Sequence, residues 1–256
     1  MSVTGKSDQI LLSYESTGSS GNRIAVIQMN RPRKKNAFSQ VSYNTMAKFM
    51  REANADPTVQ ALVITGVGDY YSSGNDLSNF SQLMHPLTMA KTGRDILYNF
   101  VDAFICCEKP LIAAVNGPAF GIAVTTLGLC DTVIGAKSAK LKTPFAELGQ
   151  APEGGSSYTF PQILGTDEAN RLLWDSAVVS ADEAARLHLM HAVCEDSEVM
   201  EHAMRCAHEK ARSYGSQVTN TKNEDEAIAR ANFHYARLGK RLNLAKARWN
   251  KELIET

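Results

Sequence analysis

Apolar and polar positions along this chain fall into short alternating blocks rather than one long period. The run 24–29, bounded by Gly21-Asn22 and Arg31-Pro32, predicts a strand, and 10–15 predicts its hairpin partner across the intervening turn. Val41, Thr45, Ala47, Phe49, Met50 and Ala53 then give an approximate helical face. Ser39 is placed to cap that helix and Asp56-Pro57 to end it. The block 61–65 predicts a buried strand closed by Gly66, 71–75 a polar turn, and 76–80 the start of a helical turn. The polar stretch 81–92, which contains Pro86, predicts a loop or mobile lid. Helical spacing resumes over 95–106 through Ile96, Phe100, Ala103 and Phe104.

The centre of the chain is its least charged part. Residues 111–115 predict a buried strand, Asn116-Gly117-Pro118 breaks it, and the uncharged run 121–129 predicts a buried helix. An uncharged 111–130 is long enough to suggest a membrane span, but Asn116, Pro118 and the glycines at 117, 121 and 128 favour strand, turn and helix. Strands follow at 132–136 and 140–142, and helices at 157–164 and 168–174. Ser180 and Glu183 predict a capping box on a helix over 180–187, before a short strand at 192–194. From 197 onward the chain is charged and helical. The pattern predicts an α/β core over 1–196 with a C-terminal helical segment over 197–256.

Composition removes several function classes. With 256 residues and 44% hydrophobic content the chain can bury a large core. Lysine plus arginine equals aspartate plus glutamate at 27 each, so no net positive charge points to nucleic acid. Basic clusters at 31–35 and 240–248 can meet phosphates or simply be solvated. Five cysteines include the adjacent Cys106-Cys107 but no C-x-x-C spacing, which predicts neither zinc nor a dithiol pair. The odd count and an N-terminus without an apolar h-region fit a reducing compartment, and the final Ile254-Glu255-Thr256 is not a Ser-Lys-Leu address. No metal, nucleotide cofactor or nucleic-acid partner is expected. His188 and His191 lack further ligands, and neither a G-x-G-x-x-G nor a Walker loop is present. The serine-hydrolase elbow G-x-S-x-G is incomplete around Ser156.

What remains is an oxyanion-type site. Two glycine-punctuated turns, 72–75 and 118–122, each follow a strand, and each can offer a backbone N–H to one carbonyl oxygen. One such donor is typically worth about 2.7–4 kcal/mol in a transition state. Glu153, in the small-residue loop Pro152-Glu153-Gly154-Gly155, is the candidate base; the alternative is a solvated loop carboxylate.

These residues resemble the crotonase (enoyl-CoA hydratase/isomerase) superfamily. The likeness runs from about Ile24 to Val193. It is carried by Met29-Asn30-Arg31-Pro32 with Asn36-Ala37-Phe38, by Tyr71-Ser72-Ser73-Gly74-Asn75-Asp76-Leu77, and by 109–117, KPLIAAVNG. The resemblance implies a spiral of ββα units, a C-terminal helical trimerisation segment, an acyl-CoA thioester substrate and a homotrimer or hexamer. It places the two oxyanion N–H groups on Asn75, after Gly74, and Ile122, after Gly121. The positions of the two hydratase glutamates fall on Thr125 and Phe145, neither of which shuttles protons. The run 152–161, PEGGSSYTFP, is instead similar to peroxisomal-type Δ3,Δ2-enoyl-CoA isomerases, in which the residue at the Glu153 position is the base. By the same likeness Ser72, Ser73, Gly74, Asn75, Asp76 and Leu77 line the substrate channel. Thr125 and Phe145 border the acyl group, with Phe120 and Val124 completing an apolar wall, and Arg33, Lys34 and Lys35 are first guesses for the CoA phosphates. A peroxisome or mitochondrion is implied, without a clear targeting signal. Other readings are a hydratase, a dienoyl-CoA isomerase drawing on Glu147, or a non-catalytic acyl-CoA-binding protein.

Overall fold

A computed structural model describes residues 2–6, 8–18, 21–80 and 85–219. In chain order the elements are β1 (Ser2–Lys6), β2 (Ile10–Ser16), β3 (Arg23–Met29), α1 (Gln40–Ala55), β4 (Val59–Gly66), α2 (Pro86–Ile105), β5 (Leu111–Val115), β6 (Ala119–Phe120) and α3 (Ile122–Thr125). They continue with β7 (Thr132–Ala136), β8 (Lys140–Lys142), α4 (Ser156–Leu164), α5 (Thr166–Leu173), β9 (Val178–Ser180), α6 (Ala181–Arg186), β10 (Ala192–Cys194) and α7 (Val199–Thr219). The expected α/β arrangement is observed. A seven-stranded sheet runs β1-β2-β3-β4-β5-β7-β10, antiparallel from β1 to β3 and parallel from β3 to β10. A small sheet, β6-β8-β9, lies apart from it.

The parallel strands are apolar on both faces because both faces are covered. All five residues of β5 are buried, as are the first seven of β4. α1 packs on β2, β3 and β4, and α7 packs on β4, β5 and β7. α7 turns Ala203, Ala207 and Ala211 inward at four-residue spacing, so small side chains let it lie close to the sheet.

The C-terminal ends of β3, β4 and β5 all open onto one edge of the sheet, where ligands of parallel sheets ordinarily sit. Two asparagines fix the loops there. Asn36 is buried; its Oδ1 accepts from Arg31 N at 2.9 Å, and its Nδ2 donates to Val67 O at 3.0 Å and Tyr70 O at 2.7 Å. Asn116 Oδ1 accepts from Gly66 N at 3.0 Å, and its Nδ2 donates to Gly68 O at 2.7 Å. The motifs around both asparagines are thus tethers for the loop that follows β4.

Three expectations are corrected. The stretch 81–92 is not all loop: α2 already starts at Pro86, with His85 as cap. Proline is well suited to a first helical position, where its missing N–H would have had no partner. Residues 81–84 lie outside the described residues. The helix expected over 121–129 is split into α3 and a 3₁₀ turn, Thr126–Leu129, with Thr125 Oγ1 and Thr126 Oγ1 both bonded back to Ile122 O. The capping box is half formed: Ser180 Oγ accepts from Glu183 N at 3.2 Å, but the Glu183 carboxylate turns to Arg171 at 2.5 Å. The strands β1, β6 and β9 have no counterpart in the hydrophobic pattern. The basic run 240–248 lies outside the described residues.

Candidate active site

The two glycine turns meet. Phe120 N donates to Ser72 O at 2.9 Å, and Ser72 pairs with Ala119 in a parallel bridge. Ser72 is fully buried; its Oγ donates to Asn36 O at 2.8 Å and accepts from Gly74 N at 3.1 Å. Gly74 has φ 82°, and a Cβ built there would lie 2.6 Å from Phe120 O. Glycine is required for both reasons, the left-handed backbone and the close approach. Gly121, with φ 55°, turns the chain into α3. Among the described residues, neither Asn75 N–H nor Ile122 N–H donates to another protein group. Two backbone donors are therefore left at the junction of the two turns.

Glu153 lies in the loop before α4. Its carbonyl accepts Ser156 Oγ at 2.7 Å, which anchors the backbone before α4. The next residue, Gly154, has φ 70°; a Cβ there would overlap Thr125 Oγ1 and sit 3.0 Å from Ile122 Cδ1. The Glu153 loop is thus pressed directly onto α3. Glu153 and Asn75 line one cavity of about 670 Å³, together with Gln40, Tyr43, Asn79, Gln150 and the α2 residues Met89, Ala90, Thr92, Gly93, Ile96 and Leu97. Burial holds the Tyr43 phenol well above its ordinary pKa, and the nearby Glu153 charge pushes it further up. Tyr43 is fixed by Phe38, stacked at 5.0 Å, and by Phe100, edge-on at 4.9 Å.

The other expected site residues are placed as follows. Thr125, Val124 and Phe145 are buried and do not line this cavity, and neither does the half-buried Phe120. The apolar lining of this cavity is supplied by α2, a helix whose start the sequence pattern conceals; the i, i+4 spacing of Met89, Gly93 and Leu97 is its signal. Arg33 and Lys34 are exposed on the 3₁₀ turn Pro32–Lys34. That turn is tied to the first glycine turn through Ser73 N, which donates to Lys35 O at 2.8 Å. Lys35 Nζ lies 4.9 Å from the centre of the Tyr70 ring. Leu77 is 68% exposed. Glu147 is held by Lys142 at 2.8 Å and is absent from the cavity wall. Among the described residues no cluster of three or more His, Cys, Asp or Glu side chains can hold a metal, and no helix is long and apolar enough to cross a membrane.

Asp76 has a supporting role. It pairs with Arg31 at 2.8 Å, and Arg31 also donates to Ala37 O at 2.6 Å. Burial raises the Asp76 pKa, but hydrogen bonds from Ser78 and the Arg31 charge outweigh it and leave the carboxyl below its ordinary value. A depressed folded value means stability present above the unfolded pKa and lost as pH falls through the folded one. Asp76→Asn is accordingly expected to lower stability by about 1 kcal/mol at neutral pH, allowing for partial solvent access. The deficit relative to wild type should shrink below about pH 4. Urea denaturation at pH 7 and pH 3 checks this, and an equal deficit at both would refute it.

Comparison with known proteins agrees with this fold. The family described as "Enoyl-CoA hydratase/isomerase" matches residues 19–247. Human "Enoyl-CoA delta isomerase 2" is 45% identical over 176 residues, 68% of this chain and 44% of that protein, so the chain spans less than half the length of that relative. Mouse "Enoyl-CoA delta isomerase 3, peroxisomal" is 38% identical over 221 residues, 80% of this chain and 69% of that protein. The crystal structure of an enoyl-CoA hydratase/isomerase from Pseudoalteromonas atlantica superposes with a TM-score of 0.75 at 26% identity, covering 93% of this chain and 88% of the other.

Proposed function

This chain belongs to the enoyl-CoA hydratase/isomerase (crotonase) family, and on that premise we propose that it is a Δ3,Δ2-enoyl-CoA isomerase, converting 3-enoyl-CoA to trans-2-enoyl-CoA. The observation that carries the reading is the placement of one carboxylate, Glu153, on the cavity wall shared with Asn75, its loop packed on Ile122 and Thr125. The hydratase alternative wants carboxylates at the Thr125 and Phe145 positions, and both side chains are buried and non-acidic. The dienoyl-CoA alternative would draw on Glu147, which Lys142 holds away from the cavity wall.

In this mechanism the thioester oxygen accepts the N–H groups of Asn75 and Ile122. Glu153 removes a proton from C2, and the electron pair spreads over a dienolate whose oxygen charge the two donors stabilise. The double bond moves to C2–C3 as the protonated Glu153 delivers the proton to C4. One carboxylate suffices because the proton lost and the proton gained are handled on one face. Arg33 and Lys34, exposed beside the 72–75 turn, would meet CoA phosphates there. No redox or metal step enters. By likeness to its relatives the protein would work in a peroxisome or mitochondrion as a trimer or hexamer.

The test is incubation of the purified protein with trans-3-enoyl-CoA and, separately, with trans-2-enoyl-CoA. Formation of the conjugated 2-enoyl thioester with little hydration supports the proposal. Efficient hydration of the 2-enoyl substrate would refute it, and tight acyl-CoA binding without turnover would make the protein a carrier instead.

The wall of α2 sets acyl-chain length in this reading. A Cβ at Gly93 meets nothing within 4 Å, so this glycine leaves open space in the cavity. Gly93→Leu is expected to fill that space while improving helix propensity. Its kcat/KM should fall about tenfold more for a ten-carbon than for a four-carbon substrate. Equal losses for both lengths would place the acyl chain elsewhere.

A further inference from the structure

Asn79, on the 3₁₀ turn Leu77–Phe80, makes three side-chain hydrogen bonds on the cavity wall. Its Oδ1 accepts from Gln40 N at 3.2 Å. Its Nδ2 donates to Phe38 O at 2.9 Å and to Asn75 Oδ1 at 2.7 Å. The first two partners are backbone groups of fixed polarity, an N–H and a C=O. They leave one possible orientation for the Asn79 amide, with its oxygen towards Gln40 and its nitrogen towards Phe38. That orientation decides the next: facing an NH₂, the Asn75 carboxamide must present its oxygen. Its own NH₂ is left as the end that Asn79 does not hold. Phe38 also brackets Asn75 along the backbone, its N–H donating to Gly74 O at 2.8 Å and its C=O accepting from Asp76 N at 2.9 Å. The polarity of two backbone groups at the entry to α1 is thereby passed through Asn79 to a residue that shares its cavity with Glu153.

We propose that Asn79 is a positioning residue that fixes the Asn75 carboxamide with its oxygen turned onto Asn79, so that Asn75 faces the substrate with donors alone, its backbone N–H and its side-chain NH₂. This rests on the isomerase reading only for its catalytic consequence. A dienolate oxygen is stabilised by donors and repelled by a carbonyl oxygen, so an inverted Asn75 would oppose the charge that develops.

Asn79→Asp is the discriminating variant. It keeps the acceptor for Gln40 N but replaces the NH₂ with an oxygen, which repels Asn75 Oδ1 and favours inversion of the Asn75 amide. Combined with Asn75→Ala, which keeps the backbone N–H, it closes a double-mutant cycle. Asn79→Asp should lower kcat about tenfold or more, with a smaller change in KM, in the otherwise wild-type protein. It should lower kcat less than about threefold further in the Asn75→Ala background. Equal losses in both backgrounds would show that Asn79 acts on the loop and not through Asn75. No loss in kcat would also overturn the proposal. An atomic-resolution crystal structure of the Asn79→Asp protein decides the same point without turnover. Asn75 Nδ2 turned onto the introduced carboxylate upholds the lock, and an unturned Asn75 refutes it. A wild type without isomerase activity would count against the proposed reaction and leave that structural outcome standing.

Discussion

Glu153→Gln is expected to slow double-bond migration by about 10²–10⁴-fold while leaving acyl-CoA binding within a few-fold of wild type. Glutamine keeps the size and the hydrogen-bonding ends of the side chain but cannot take a proton. The backbone has no reason to move, because Ser156 holds Glu153 through its carbonyl oxygen. Among the described residues, neither nearby candidate can take over. Tyr43 shares the cavity, but burial and then the Glu153 charge raise its pKa, so the phenol keeps its proton at neutral pH and is no base. Glu147 is engaged by Lys142 away from the cavity wall. Steady-state rates on trans-3-enoyl-CoA, with calorimetric binding of a saturated acyl-CoA, separate chemistry from binding. A rate within about threefold of wild type would remove Glu153 from the reaction.

Gly74→Ala is expected to have the next largest effect. The new Cβ meets the Phe120 carbonyl, a backbone atom that cannot rotate away, and alanine is also strained at φ 82°. The two turns must separate, and with them the N–H groups of Asn75 and Ile122. Losing one oxyanion donor typically costs about 10²–10³-fold in kcat. Stability should fall by about 1–3 kcal/mol from the backbone strain. Measuring kcat well below the variant's melting temperature distinguishes a displaced donor from global unfolding. Retained kcat with only a lowered Tm would mean that the donors do not act as a pair.

The main elements are legible in the sequence because period and punctuation agree. β3, β4 and β5 are apolar runs closed by glycine, proline or asparagine, and α1 has both its cap and its stop. Glu153 stands out as a carboxylate among small residues, and a solvated loop carboxylate is equally compatible with the sequence until the resemblance is drawn. The first half of the α2 wall is hidden because Pro86 reads as a breaker when it is in fact a first-turn residue, which leaves Met89 and Gly93 outside any predicted helix, while Leu97 falls inside the one expected over 95–106. The resemblance puts Thr125 and Phe145 beside the acyl group, and the structure adds that both are buried, a property of tertiary packing that the sequence does not display. β6, at two residues, is too short to carry a period at all. Asn79 is invisible for another reason: a polar residue in a polar turn gains meaning only when its three partners, Phe38, Gln40 and Asn75, are brought together.

The Asn116-Gly117 step carries a consequence for how the molecule ages. Asparagine followed by glycine is the dipeptide in which the next backbone nitrogen most readily attacks the side-chain carbonyl, losing ammonia through a cyclic imide. Here that carbonyl oxygen is committed to Gly66 N, and the amide nitrogen to Gly68 O, so the side chain is held away from the attack. The native fold protects the bond, and each global unfolding event exposes it. Chemical lifetime is therefore set by conformational stability. Any substitution that loosens β4 from β5 shortens it, even where the active site is untouched.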